Sequence, residues 1–407
     1  MINYSPLKKR IKRHVIGPSH TFFAATSSGL ENLCEKELLS LFPESKELSA
    51  FNGGVEFKGK LDDCYKANLY LRTPGRILMR ITEFNASNFR RLHKKLQEIA
   101  WELYLHSNVL PKINVTAKHS RLYHKDAIAD RFITSINERI KSNTFLPLGN
   151  GREVQHQQIF VRVIDDRFTV SLDSSGELLY KRGIKGHGGK APLRETLASA
   201  ALMIAGYRSD EPLLDPMCGT GTFSIEAGMI SNRIPPGWYR NFAFENWPGF
   251  RPELWNYIKK VAQKSIVFHE DLPNIIACDK DRNTCATVKR TVKKYQLSNN
   301  IKILNRDFFT ITPIDVFGYT QLKKPGLVII NPPYGIRIGT KKNSKRLINR
   351  IIRRLKQHYS GWKAALFIHG KKLPDIRLSE DSIITVDHGG LKLLLYTGKI
   401  TGGNNGQ

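Results

Sequence analysis

Four consecutive residues, Asn331-Pro332-Pro333-Tyr334, carry the most specific chemical pattern in the chain. Two prolines fix φ and remove two N–H donors, which makes a rigid turn whose carbonyls point in a set direction. With the Asn331 side-chain carbonyl, such a turn can accept hydrogen bonds from an exocyclic amino group while Tyr334 stacks on the ring that bears it. The amine of an aromatic ring is a poor nucleophile, because its lone pair is delocalised. Accepting its protons while aligning it with an electrophilic carbon localises that pair, and catalysis is then positioning and electrostatics without covalent enzyme chemistry. A purely structural Pro-rich turn is the plain alternative.

Three other signals fit the same chemistry. Leu213-Leu214-Asp215-Pro216-Met217-Cys218-Gly219-Thr220-Gly221-Thr222-Phe223 reads as a buried strand, a glycine-containing turn and the start of a helix. Gly219 and Gly221 let the backbone approach a ligand closely, although glycine also serves ordinary strand-to-helix turns. Asp279 ends the run Ile276-Ala277-Cys278-Asp279 and could accept from both hydroxyls of a ribose. Asp307-Phe308 could accept from an adenine amino group and pack on its ring. Each carboxylate alone is more often a solvated loop residue; the ordered set favours a ligand site.

The elements that must position these residues are short apolar runs separated by helical stretches: Leu213-Leu214, Ile275 to Cys278, Ile301 to Leu304, Leu327 to Ile330 and Ala364 to Phe367. This alternation predicts an α/β fold with a parallel, doubly wound Rossmann-like sheet, whose ligand crevice lies beyond the carboxyl ends of the strands. Ser382 to Val386 and Leu391 to Tyr396 read as a hairpin closing one sheet edge. Upstream, a strand at Thr21 to Ala25, an amphipathic helix from Leu30 to Leu41, strand and turn at Phe51 to Phe57 and a helix from Leu61 to Leu71 predict a small α+β unit ending near Arg80. A second unit follows, with helices at Asn88 to Leu105 and Lys125 to Ile140, a strand at Ile113 to Lys118 and a hairpin turning at Asp165-Asp166. The first seventeen residues are basic and read as a flexible arm.

At about 100–200 residues per domain, 407 residues predict two or three domains. The chain carries 64 Lys+Arg against 36 Asp+Glu, a formal charge of +28. Self-repulsion on that scale disfavours a compact state unless a polyanion offsets it, so nucleic acid is the expected partner. The candidate contacts are Lys118 and Arg121 in the second unit, and the run Ser344 to Tyr359, where Lys345, Arg350, Arg353 and Arg354 surround an apolar face formed by Leu347, Ile351 and Leu355. A solvated charged face is the plain alternative. Between Arg233 and Phe268 lies an aromatic-rich insertion with three of the five tryptophans, able either to stack an extruded base or to pack a satellite core. Five cysteines without CxxC spacing and scattered histidines predict no disulfide framework and no metal site. No uninterrupted apolar run approaches the 18 or so residues that cross a bilayer, so a cytoplasmic protein without a membrane partner is expected.

Asp215 to Phe223 together with Asn331 to Tyr334 resembles the class I S-adenosylmethionine-dependent amino-methyltransferases of the NPPY type. From about Phe22 to Tyr396 the chain is similar to the THUMP-containing rRNA guanine-N2 methyltransferases of the 23S large-subunit type, with support from Phe84 to Phe89, Lys125 to Phe132, Ser171 to Glu177, Lys181-Arg182-Gly183 and Ala191 to Ala198. The resemblance implies a ferredoxin-like lobe over 18–80, a THUMP RNA-binding domain over 81–175 and a methyltransferase domain over 176–400. It makes Asp215, Met217, Cys218, Gly219 and Gly221 the wall at the methionine end of S-adenosylmethionine, Asp279 the ribose acceptor and Asp307-Phe308 the adenine contact, with Thr196 and Leu197 beside the cofactor. Ile336 stands where relatives often have Glu. Some relatives carry a second methyltransferase domain; a chain ending at Gln407 implies one activity. The implied product is N2-methylguanosine in 23S rRNA or a large-subunit assembly intermediate. Rival readings are a tRNA guanine-N2 enzyme, an adenine-N6 DNA methyltransferase and a non-catalytic RNA-binding assembly factor.

Overall fold

Among the described residues, two seven-stranded sheets organise the chain. The computed structural model describes residues 5–44, 47–140, 156–184, 193–267, 274–321, 324–333, 341–369, 378–388 and 390–401. These fall into two units, one drawn from Met1–Thr26, Cys34–Leu179 and Arg240–Lys260, the other from Ser27–Leu33, Tyr180–Tyr239 and Val261–Gln407.

The chain begins with α1 (Ser5–Ile11), which runs into a π-helical turn over Lys12–Ile16. Here the expectation of a flexible arm is corrected. Ile11 and Val15, four residues apart, form an apolar stripe that sinks to 7% and 1% exposure, and Arg10 pairs with Glu102 at 2.8 Å. The polybasic composition masks that stripe.

The first unit then continues through β1 (His20–Ala25), α2 (Glu31–Leu41), β2 (Leu48–Phe51), β3 (Gly54–Gly59), α3 (Leu61–Tyr70), β4 (Arg76–Asn85), α4 (Phe89–Gln97), β5 (Leu110–Lys118), α5 (Lys125–Ile140), β6 (His156–Ile164) and β7 (Arg167–Asp173). The strand order is β2-β3-β1-β4-β7-β6-β5. The expected boundary at residue 80 falls inside β4, which pairs with β1 on one side and with β7 on the other. A single sheet therefore runs through the segments read as ferredoxin-like and THUMP. Alternation fixes its buried face: Ile159, Val161 and Val163 of β6 are at most 1% exposed.

The part of the aromatic insertion from Arg240 to Lys260 is a satellite core of this unit, while Trp238 and Tyr239 pack on a core of the second. Phe244 stacks on Tyr65 with centroids 4.4 Å apart and meets Trp255 edge-on at 5.2 Å. Trp247 Nε1 donates to Gln157 at 3.0 Å. Phe242, Phe244, Trp247 and Trp255 are all buried, so the structure favours packing over base stacking for these rings.

The second unit contains α6 (Glu195–Ile204), β8 (Leu213–Asp215), α7 (Thr222–Ser231), the end of α8 (Pro252–Ser265), β9 (Ile275–Asp279), α9 (Arg282–Lys294), β10 (Ile301–Asn305), α10 (Pro313–Gln321), β11 (Leu327–Ile330), α11 (Lys341–His358), β12 (Lys363–His369), β13 (Leu378–His388) and β14 (Leu391–Ile400). Its sheet order is β10-β9-β8-β11-β12-β14-β13, parallel except for β14, the inner strand of the terminal hairpin. Helices on both faces explain the unbroken apolar strands. Leu213, Leu327 and Ile329 enter one core, while Leu214, Val328 and Ile330 enter the other. The strand order reverses between β8 and β11, which opens a crevice at their carboxyl ends.

Candidate functional site

Asp215 closes β8 and Asn331 follows β11, and because Leu214 pairs in register with Val328 both residues leave the sheet at the same end, on either side of the reversal. Asp215 is fully buried and accepts from Ser224 Oγ at 2.8 Å, which anchors the strand to α7. The turn that follows closes through the Gly221 N–H on the Cys218 carbonyl at 2.7 Å. Gly219 has φ 51° and open space where a Cβ would stand; Gly221 has φ 73° and lies against Val288. Both adopt the left-handed conformation that glycine tolerates best.

The ends of the neighbouring strands are tied to this turn. Cys218 N–H donates to the Cys278 carbonyl at 2.8 Å. One Asp279 carboxylate oxygen accepts from Gly219 N–H at 3.1 Å, the other from Asp281 N–H at 2.9 Å. The Asp279 carbonyl accepts from Asn305 Nδ2 at 2.9 Å and Arg306 N–H at 3.1 Å, which joins β9 to the end of β10. Asp307 caps the next turn by accepting from Phe309 N–H at 2.9 Å. Asp215, Met217 to Gly221 and Asp279 thus form one continuous wall, and Asp307 follows the adjacent strand.

Other expected cofactor contacts sit deeper. Leu197 is 1% exposed within the core that also holds Cys218 and Phe223, and Thr196 is 4% exposed on the same helix. Phe308 is 1% exposed and packs on Tyr359. Phe309, which has no counterpart among the expected contacts, is half-buried and lies under the Arg350 guanidinium at 3.7 Å.

Burial raises the Cys218 thiol well above its ordinary range, and the carboxylates of Asp215 and Asp279 add to that. Cys278 is pushed up to about 12, again mainly by burial. These thiols stay protonated and do not serve as nucleophiles at neutral pH.

The buried Asn331 Oδ1 has no hydrogen-bond partner. Pro332 beside it is buried and Pro333 exposed. Tyr334 and Ile336 lie outside the described residues. A buried acceptor left unmatched costs about 1–3 kcal/mol, so the arrangement favours a ligand that brings a donor.

A further arrangement is not apparent from sequence pattern. Arg182, in the Lys181-Arg182-Gly183 stretch, forms a buried ion pair with Glu226 at 3.1 Å, and Ser199 Oγ also donates to Glu226. It pins the segment before α6 to α6 and α7, the helices behind the wall. The available signal is an acid inside an apolar helix, Glu226 between Ile225 and Ala227.

Among the expected RNA contacts, Lys118 and Arg121 are exposed in the first unit, with the Arg121 backbone held by Asp166 at 2.7 Å. Lys345 and Arg353 are exposed on α11. Arg350 is exposed but stacked on Phe309, while Arg354 donates to the Ile311 carbonyl at 2.9 Å and touches His358. The last two cations are thus partly engaged in fixing their own helix. Among the described residues no group of His, Cys, Asp and Glu is placed to hold a metal, and no helix is long and apolar enough to cross a membrane.

Comparison with known proteins gives a consistent answer. The family described as RMKL-like, methyltransferase domain, matches residues 182–393, and the RlmL ferredoxin-like domain matches residues 21–78. A Synechocystis protein named as an RNA methyltransferase is 32% identical, over 92% of this chain and 95% of its own. The ribosomal RNA large subunit methyltransferase K/L of Syntrophotalea carbinolica is 30% identical over 86% of this chain, which spans 49% of that relative's length. In fold, the chain matches the crystal structure of the methyltransferase SMU.472 complexed with S-adenosylhomocysteine, at a TM-score of 0.79 and 24% identity, over 96% of this chain and all of that one. A doubly wound sheet with its wall and Asn-Pro-Pro turn at the strand reversal, joined to an RlmL-type ferredoxin-like domain, places the chain in the family of RMKL-like methyltransferases, among the relatives of the large-subunit ribosomal RNA enzymes K/L.

Proposed function

We propose that this chain methylates the exocyclic N2 of a guanosine in 23S ribosomal RNA, with S-adenosylmethionine as methyl donor. The observation that carries this reading is the buried, unmatched Asn331 Oδ1 on a proline-stiffened turn, at the sheet end that also bears Asp215 and Asp279. An exocyclic amine supplies the donor that this acceptor lacks. The wall fits the cofactor: Gly219 leaves open space beside it, and Asp279, already oriented by two backbone N–H groups, keeps lone pairs for ribose hydroxyls. S-adenosylmethionine supplies an electrophilic methyl group. The chain's own residues hold the amine in line with it, and Asn331 with the Pro332 and Pro333 turn accepts the proton-bearing side of that amine. Tyr334 follows in sequence as the residue to stack on the base.

The large-subunit relatives support ribosomal over transfer RNA, and guanine over adenine is what the resemblance to the guanine-N2 enzymes implies. The segment 81–175 serves as a THUMP RNA-binding domain in a cytoplasmic protein, and the +28 charge fits the RNA. The deciding experiment is mass spectrometry of nucleosides from 23S rRNA, tRNA and DNA of a deletion strain. Loss of one N2-methylguanosine from 23S rRNA is the expected result. Loss from tRNA alone, or of N6-methyladenine from DNA, overturns the substrate assignment.

A further inference from the structure

The turn that carries Asp307 is held by residues far along the chain. Asp307 Oδ1 accepts from Phe309 N–H at 2.9 Å, and the Asp307 carbonyl accepts from Thr310 N–H at 3.0 Å and Thr310 Oγ1 at 2.9 Å. The carboxylate is thus oriented by the short 3-10 turn Phe308–Thr310. Among the described residues its second oxygen makes no hydrogen bond.

The basic helix α11, which follows the Asn331 turn in sequence, grips this turn at two points. Its Arg350 guanidinium covers the Phe309 ring at 3.7 Å. Arg354, four residues on and so on the same helix face, donates to the Ile311 carbonyl at 2.9 Å, where Tyr359 Oη also donates at 3.4 Å. Phe308 touches the rings of both Phe309, at 5.3 Å, and Tyr359, at 5.8 Å. A cation kept for phosphate alone would extend into solvent, whereas Arg350, although exposed, lies at stacking distance from a ring, well inside the limit of about 6 Å for a cation–π contact.

We infer that Arg350 is a positioning residue for the methyl donor: by fixing the Phe309 ring it fixes the Phe309 N–H, and through it the Asp307 carboxylate that accepts from the 6-amino group of adenine. The inference rests on the reading of Asp307 as the adenine contact. It moves Arg350 from the RNA contacts to the cofactor side of the site, and makes α11 the element to which both the amine-binding turn and the adenine end are referred.

The test is calorimetry of the full chain with S-adenosylhomocysteine and with S-inosylhomocysteine, in which a carbonyl replaces the 6-amino group and repels a carboxylate. The wild type should prefer the adenine form. Arg350→Ala should weaken the adenine form by about two- to fivefold, the worth of one exposed cation–π contact, and change the inosine form little, so the preference narrows. Phe309→Leu, which keeps an apolar side chain without the ring, should narrow it as well, and adding Arg350→Ala to that variant should cause no further loss. Equal weakening of both ligands by Arg350→Ala would mean a general loosening of the site and overturns the inference. So does an additional full loss in the double variant, which would show that Arg350 does not act through Phe309. Unchanged affinity for S-adenosylhomocysteine overturns it too, and a log–log salt slope shallower by about 0.7 for a fluorescein-labelled RNA dodecamer would then mark Arg350 as a phosphate contact. A wild type that binds both ligands equally removes the adenine assignment of Asp307 itself, a result distinct from a wild-type preference that Arg350→Ala leaves intact, which overturns the positioning role alone.

Discussion

Gly219 N–H donates to the Asp279 carboxylate at 3.1 Å, so the turn that ends β8 and the acid that ends β9 are held as one piece. The acid orients the turn and the turn orients the acid. Asp279→Ala should therefore weaken S-adenosylmethionine in two ways, by removing a charge-assisted acceptor and by releasing the glycine turn. A loss of roughly 1.5–3 kcal/mol is expected from the first alone. Asp279→Asn, which keeps an oxygen of the same reach, should lose less. Calorimetry on both variants checks the order; equal losses would assign the whole effect to charge.

The two turn glycines should separate stability from binding. A Cβ at Gly221 would stand 2.8 Å from Val288 Cγ1 at φ 73°, whereas one at Gly219 would meet open space at φ 51°. Gly221→Ala should thus lower the thermal midpoint clearly, at a cost of about 1–3 kcal/mol. Gly219→Ala carries mainly the milder left-handed penalty, about 1–2 kcal/mol, but places its methyl where the cofactor is expected. Its larger effect should appear in S-adenosylmethionine affinity. Thermal melts beside calorimetry distinguish the two.

How much of this is legible in the sequence depends on which interactions are local. The strand ends at Asp215, Asp279 and Asp307 can be read because each lies within a few residues of the apolar run that carries it. The partner that makes Asp215 tolerable, Ser224, lies in the first turn of α7 and gives no signal without the fold. Phe308 looks like a ring for stacking, yet the 3-10 turn that Asp307 caps rotates it into the core and leaves Phe309 nearer the surface. Arg350 and Arg354 read as a uniform basic face; only packing reveals that one covers Phe309 and the other holds the Ile311 carbonyl. Likewise, β4 pairs with strands far away on either side in sequence, and a boundary drawn from local pattern cuts through it.

Arg182 and Glu226 are 3% and 0% exposed, so the pair is shielded from water. Glu226→Ala leaves a buried guanidinium without its carboxylate and should cost about 3–5 kcal/mol of stability. Replacing both residues, as in Arg182→Met with Glu226→Leu, should recover much of that loss. Denaturant unfolding of the single and double variants is the measurement, and additive losses would show that the pair does not act as a unit.

Cys218 lies in the wall, but its thiol is held neutral by burial and by the carboxylates of Asp215 and Asp279. Cys218→Ala should therefore keep the rate of methyl transfer within about fivefold of the wild type, since a protonated buried thiol is not a nucleophile. A collapse of the rate with cofactor affinity intact would instead call for a covalent enzyme step.

Asn331 carries the chemical assignment, and its variant is the sharpest test. Its Oδ1 is buried without a partner, so in the free enzyme Asn331→Ala removes an unmatched acceptor and breaks no hydrogen bond made by that atom. Stability should change little or rise slightly, because the cost of burying that oxygen is removed. The wall formed by Asp215, Gly219 and Asp279 is untouched, so S-adenosylmethionine affinity should hold. What disappears is an interaction realised as the amine loses its lone-pair delocalisation, and such a loss falls on the rate of the chemical step. By analogy with removal of one oxyanion-hole donor, the drop should be on the order of a hundredfold or more. Single-turnover transfer of a labelled methyl group to 23S rRNA from a deletion strain measures it, with a thermal melt and calorimetry alongside. Near-normal transfer would remove Asn331 from the chemistry. A large loss of stability or of cofactor affinity would make it a structural residue of the turn, and the acceptor would have to be sought among the backbone carbonyls of the same turn.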